Sequence, residues 1–156
     1  MPSRAGRMKI KKLNAILVLG EQNAGKSTLI RHLSGVARGK FVDLVTTDKE
    51  MLKIRAIVTS VNELYGAPPP ERWAARLIEK ARDKSCANVL LPLRYVSEPR
   101  NPKAEAYFRA LKKVAAIKII AMEGDRPSWV PSKVFDVKDP KRNERARSVR
   151  RHLGWI

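Results

Sequence analysis

Between Leu13 and Leu33 the chain reads LNAILVLGEQNAGKSTLIRHL. An apolar run, Leu13 to Leu19, enters Gly20-Glu21-Gln22-Asn23-Ala24-Gly25-Lys26-Ser27, and Thr28, Leu29, Ile30 and Leu33 continue with helical spacing. This is a complete G-x-x-x-x-G-K-[ST] P-loop in the strand-then-helix context that gives the pattern its meaning. Two glycines let the backbone turn tightly, so that successive N–H groups can surround phosphate oxygens. Lys26 supplies a point charge for the β- and γ-phosphates, Ser27 a hydroxyl for Mg²⁺, and the following helix the positive end of its dipole. At average residue usage the bare pattern arises in roughly one chain of this length in a few hundred. ATP and Mg²⁺ are therefore the expected ligands, with Gly20 to Thr28 as the binding segment and Ser27 as the metal-facing residue.

A strand feeding such a loop constrains the rest to an α/β arrangement, and the remaining pattern agrees. Phe41 to Val45 reads as a short strand. Thr47-Asp48-Lys49-Glu50 has the form of a capping box, and Met51, Ile54, Ile57, Val58, Val61, Leu64 and Tyr65 recur at spacings of three and four, which predicts a helix. Gly66-Ala67-Pro68-Pro69-Pro70 is a break, with Pro70 suited to the first position of a second helix that ends near Lys84. Asn88 to Leu93 reads as a buried strand, Pro102 to Val114 as a helix, and Ala116 to Met122 as a strand. Lys133 to Val137 is a candidate last strand and Asn143 to Leu153 a basic helix. The expected fold class is a P-loop NTPase with a parallel sheet of about five strands and helices on both faces. Ser34-Gly35 and Arg38-Gly39 are stop signals after the first helix.

In such sheets ligands bind beyond the carboxyl ends of the strands. That rule directs attention to Gly20 to Thr28, Thr46 to Glu50, Arg94 to Glu98 and Glu123 to Arg126.

The 156 residues suffice for a single sizeable core. Residues 13–137 read as the P-loop domain, 1–12 as a basic N-terminal segment, and 138–156 as a basic C-terminal helix. The net charge of +18 is concentrated at the ends. Arg4, Arg7, Lys9, Lys11 and Lys12 stand without an acid. Lys138, Lys141, Arg142, Arg145, Arg147, Arg150 and Arg151 face only Asp139 and Glu144. Such charge favours polyanions, so non-specific contact of the termini with nucleic acid is one expectation and plain solubility the other. Arg145, Arg147, Arg150 and Arg151 fit lid arginines, a phosphate-binding helix or a solvated face. No apolar run is long enough to span a bilayer, and no membrane partner is expected. The single Cys86 excludes an internal disulfide and any multi-cysteine metal site. A cytoplasmic setting follows as the default, the host's if the chain is viral. Trp73 lies on an apolar stripe and reads as core, whereas Trp129 and Trp155 are candidates for base stacking. Neither His32 nor His152 has a partner motif.

The stretch from Phe41 to Arg126 resembles the P-loop nucleotide kinases, most closely the phage-type deoxynucleoside monophosphate kinases. The resemblance lies in the order of FVDLVTTDKEMLK, NELYG, PPPERWAARLIEKARDK, NVLLPLRYVSE, AEAYFRAL and IKIIAMEGDRP. It implies that Arg94 holds the acceptor phosphate, that Lys49 and Glu98 line the acceptor pocket, and that Arg126 is a lid-type arginine over the transferring group. The catalytic set would then be Lys26, Arg94 and Arg126. Two departures stand out. Members of that family usually carry an acid just before the arginine, where this chain has Leu91-Pro92-Leu93. The arginine-rich closing segment is also unlike the family's C-terminus. Asp43, Asp48, Glu98 and Asp125 are the alternative acids. The primary expectation is transfer of the γ-phosphoryl group of ATP to a nucleoside monophosphate, most directly a deoxynucleotide. The alternative is a nucleotide-binding protein with a kinase-like fold, little or no transferase activity, and DNA or RNA as its partner.

Overall fold

The computed structural model describes residues 12–35 and 40–156. Arg4, Arg7, Lys9 and Lys11 of the basic N-terminal segment, and the Arg38-Gly39 stop, lie outside the described residues. The chain runs β1 (Leu13–Gly20), α1 (Lys26–Ser34), β2 (Lys40–Val45), β3 (Met51–Ala56), a 3₁₀ turn (Val61–Glu63) and α2 (Pro70–Lys84). It continues through β4 (Asn88–Arg94), α3 (Ala104–Val114), β5 (Ala115–Ala121), β6 (Phe135–Asp136) and α4 (Arg142–Leu153). The fold is α/β, with one six-stranded sheet in the order β2-β3-β4-β1-β5-β6. All neighbouring strands are parallel except β2, which is antiparallel to β3. This mostly parallel sheet is compatible with a P-loop NTPase-like fold.

β1 sits between β4 and β5, and its side chains alternate between two cores. Leu13, Ala15, Leu17 and Leu19 pack with Trp73, Ala74 and Leu77 of α2 and Tyr107 and Leu111 of α3. Val18 packs on the other face with Leu29, Ile30 and Leu33 of α1 and with Ala146 and Val149 of α4. Helices thus cover both faces, and β1, β4 and β5 read as near-continuous apolar runs, as strands buried on both faces must. Pro92 is tolerated in this central region for a local reason. Ile57 N–H donates to the Leu90 carbonyl (2.8 Å), at the point where β3 leaves the ladder. Two residues later on the same side, Pro92 has no strand to which it would donate.

Two expectations are corrected. Residues 47–65 do not form a helix. Lys49, in the left-handed conformation (φ 64), closes a tight turn from β2 into β3, and Thr46 rather than Thr47 accepts the Glu50 N–H through its hydroxyl (3.2 Å). The burial of Ile54, Ala56 and Val58 has a period of two, and the exposed Tyr65 lies on no helical face. Apolar residues at 54, 57, 58 and 61 satisfy helical spacing, but the β-branched side chains and sheet pairing decide for a strand. Second, the sheet has six strands, one of them antiparallel, and the last is only two residues long. Residues 138–156 contain the helix α4, and this segment packs on the sheet. Ala146, Val149 and Trp155 are buried in the domain's own core, and the C-terminal residues bridge to the β2–β3 turn. There Thr47 N–H donates to the Gly154 carbonyl (2.8 Å) and Ile156 N–H to that of Val45 (2.9 Å).

No helix among the described residues is long and apolar enough to cross a membrane.

Candidate functional site

The P-loop leaves β1 at the point where the sheet reverses its order of construction. The chain builds β3 and β4 on one side of β1 and then β5 and β6 on the other, which opens a crevice at the carboxyl ends of the strands. Asn23 (φ 63) and Gly25 (φ 95) take left-handed conformations, and Gly25 caps α1 without a side chain. The first-turn N–H groups of α1 are therefore left for a ligand. A Cβ on Gly20 would approach the side chains of Met122 and Ala24 to about 3.0–3.1 Å, a contact so tight that these neighbours would have to shift to admit any larger residue.

Lys26 is 5% exposed, and its ammonium donates to the Glu21 carbonyl (2.7 Å) and lies 3.8 Å from the Glu63 carboxylate. Burial lowers its pKa and nearby Arg94 adds to this, while Glu63 opposes both. Ser27 donates its hydroxyl proton to the Val58 carbonyl (2.9 Å), which leaves the oxygen lone pairs free to face a cation. Gln22, Asn23, Gly25, Lys26, Ser27 and Thr28 line a cavity of about 340 Å³ together with Glu63 and Arg142.

Arg94, at the end of β4, is brought beside this cavity, against two of its lining residues. One of its terminal nitrogens donates to the Gln22 side chain (3.1 Å), and its Nε lies 3.9 Å from Glu63. That Nε is buried and has no hydrogen-bond partner among the described residues. The positioning device is Asn62, which is fully buried. Its side-chain amide donates to the Arg94 carbonyl (3.0 Å) and to Ser97 Oγ (3.2 Å), while its side-chain oxygen accepts the Arg94 N–H (3.2 Å). The 3₁₀ turn is thereby joined to the end of β4, and Glu63, the next residue, is held between Lys26 and Arg94. Asn62, Glu63 and Arg142 were not singled out as site residues by the sequence. Glu63 was hidden inside the mistaken helix. A motif such as Asn-Glu after an apolar run would have drawn attention only if that run had been read as a strand.

The other expected site residues separate. Lys49 lies in the turn at the amino end of the parallel strands, away from the P-loop, because β2 runs antiparallel and carries its carboxyl end to the opposite edge. The Lys49 assignment to an acceptor pocket beside the P-loop is therefore corrected. Glu98 lines a different crevice of about 330 Å³, with Tyr95, Lys103 and Trp129. Its carboxylate accepts the Arg100 N–H (3.0 Å) and Nε–H (3.2 Å) and so stabilises its own loop. Arg126 pairs with Asp136 of β6 and does not line the P-loop cavity. Beside it, burial raises the pKa of the Tyr95 hydroxyl. Glu21 turns outward, its carboxylate accepting the Asp125 N–H (3.1 Å). Of the candidate stacking residues, Trp155 is buried, and Trp129 packs edge-on to Tyr95 and tilted against Phe108. Trp73 is core, as expected.

The donor set fits a Mg-bound polyphosphate: uncapped helix N–H groups, a buried ammonium and a hydroxyl oxygen with free lone pairs meet at one cavity, and an orphaned guanidinium nitrogen lies beside it. No family model, curated protein or solved structure matches this chain.

Proposed function

We propose that the chain holds a nucleoside triphosphate on its P-loop and passes the γ-phosphoryl group to a nucleoside monophosphate. The observation that carries this reading is that Lys26 and Glu63, from separate elements, line the P-loop cavity, while Arg94, from a third, lies beside it against Gln22 and Glu63. Lys26 and the α1 N–H groups hold the donor's β- and γ-phosphates. Ser27 would hold Mg²⁺, which would supply charge neutralisation to the phosphate chain. Arg94 lies beside the cavity on the β4 side, where it would align an acceptor phosphate and shield the charge that develops on transfer. Glu63 keeps the two cations apart and oriented.

In the transfer itself, a phosphate oxygen of the acceptor bonds to the γ-phosphorus as the bond to the β–γ bridging oxygen breaks. A monophosphate ester has a second pKa of about 6, so it is already an oxyanion near neutral pH and needs no general base. The absence of an acid at Leu91-Pro92-Leu93 therefore removes no required proton acceptor. The preference for a deoxynucleotide rests on the resemblance of residues 41–126 alone.

The test is a screen of nucleoside monophosphates with Mg-ATP, scored for ADP and the matching diphosphate. Arg94→Ala should then raise KM for the monophosphate more than KM for ATP. Absence of transfer to every monophosphate, together with salt-sensitive binding of polynucleotide, overturns the kinase reading. That result would make the chain a nucleotide-binding protein with DNA or RNA as its partner.

A further inference from the structure

The arginine-rich C-terminal helix reaches the P-loop. Arg142, at the start of α4, lines the same cavity as Lys26, Ser27 and Glu63. Arg145, one turn further, lies against the loop's backbone: its Nη1 is 3.1 Å from the position that a Cβ on Gly25 would occupy. Residues three apart share a helix face, so the two guanidinium groups approach the cavity together.

Their direction is built in. Arg145 Nε–H donates to the Asp139 carbonyl (2.7 Å), and the Ser148 hydroxyl donates to the Asp139 carboxylate (2.6 Å), so the turn that aims Arg145 is tied to α4 itself. The helix is anchored by buried Ala146 and Val149 and by the Arg150 guanidinium, which donates to the His32 carbonyl of α1. Arg142 is exposed and makes no ion pair among the described residues. The cavity is lined by Lys26 and Arg142 with Glu63, and Arg94 and Arg145 lie against its lining residues Gln22 and Gly25; among the described residues Glu63 is the carboxylate that faces these four cations, since Glu21 turns outward. Four cations against one carboxylate leave a strong positive excess, which suits an anion with several phosphates better than one with a single phosphate.

The geometry points to Arg142 and Arg145 as ligands of the nucleotide's phosphate chain, gripping it from the α4 side while Arg94 faces it from the β4 side. This inference rests on the nucleotide reading of the P-loop. It gives the basic segment a place in the site instead of a role as a free tail.

The experiment is calorimetric titration of the full chain with Mg-ATP, comparing Arg142→Ala, Arg145→Ala, Arg151→Ala and Lys26→Ala. Thermal unfolding of each variant without nucleotide checks that the fold is kept. Arg151→Ala removes the same charge from the same helix at a residue that does not line the cavity. Arg142→Ala and Arg145→Ala are expected to weaken Mg-ATP about ten- to a hundredfold, and Arg151→Ala less than about twofold, since exposed charges are screened. If either of the first two should fail to fold, the corresponding Arg→Lys variant replaces it and should keep part of the affinity. Wild-type affinity in the Arg142 and Arg145 variants, with Lys26→Ala impaired, overturns the proposal and leaves the P-loop reading intact. An equal loss in Arg151→Ala also overturns it, because long-range charge would then explain everything. If the wild-type chain binds no nucleoside triphosphate, the P-loop reading falls and takes the proposal with it.

Discussion

At the carboxyl ends of the parallel strands, a nearly buried lysine shares one carboxylate with a half-buried arginine, and left-handed backbone shapes a cavity of about 340 Å³. The amino ends also carry a crevice, of about 440 Å³, but it is lined mainly by Ile16, Leu52, Ile54, Leu153 and Trp155. There the β2–β3 turn leans on Gly154 and Trp155 through backbone hydrogen bonds, and no buried charge is present among the described residues. Size does not distinguish the two ends. One end gathers charged groups and a buried donor without a hydrogen-bond partner, while the other seals its groups against one another. Substitutions at the amino end should therefore affect folding, and those at the carboxyl end should affect binding.

The largest effect is expected from Trp155→Ala. It removes a buried indole that holds the hairpin and should cost about 3–5 kcal/mol of stability in denaturant unfolding. Nucleotide affinity of the folded fraction should be unchanged. A loss of affinity at saturating folded protein would show that the ends are coupled and break the comparison.

Lys26→Ala should do the reverse. Losing a charge-assisted contact to phosphate should cost about 1.5–3 kcal/mol of binding, roughly ten- to a hundredfold in affinity. The unfolding midpoint should hold or rise, because burial already disfavours the charged ammonium. Calorimetry and thermal unfolding on the same sample separate the two readouts, and unchanged affinity would reduce the loop to a structural turn.

The pH dependence is smaller. Burial holds the Lys26 pKa below its ordinary 10.5, and a bound phosphate chain favours the protonated form. Binding should take up a proton above the free protein's lowered value. Affinity is then constant at lower pH and falls by at most about tenfold per pH unit as pH rises through that value. The fall ends above the pKa of the complex. A flat profile through the alkaline range in Lys26→Arg would tie the effect to this residue, and a flat wild-type profile would remove it.

The smallest effect belongs to Lys49→Gly. Glycine suits the left-handed turn, so stability should change by only about 0.5–1 kcal/mol, in the favourable direction. Nucleotide affinity should not move. Any change in KM for an acceptor would put the hairpin turn back in the site.

What the sequence made legible follows the physics of each segment. The P-loop, α2, β4, α3 and β5 are local patterns with clear stops, and the structure places them within a residue or two. The segment after Thr46 was misread because its apolar positions satisfy both helical and strand periods, and only pairing with β2 and β4 decides. Lys49 was misplaced for a related reason: the direction of a strand is not written in its pattern. Arg94 was legible as a residue at a strand end, whereas its partner Glu63 was not, since the two meet only through Asn62. The arginines of α4 were visible as charge, but their aim depends on the turn at Asp139.

The central position of β1 has a consequence for how the chain acquires its shape. Asn14 pairs with Asn88 and Leu13 with Ala115, so both neighbours of β1 lie far along the sequence. Contacts of such long range make for slow folding and late closure. During synthesis the apolar run Leu13 to Leu19 emerges before β4 and β5 and must wait for them, a period in which it is open to misassociation. Pulse-labelled hydrogen exchange should find the amides of Leu17 and Val18 protected only when those of Leu91 and Ile120 are. Protection of β1 ahead of β5 would mean that a partial sheet forms first. The strand that bears the P-loop is thus made before both of its central neighbours and is paired only after them.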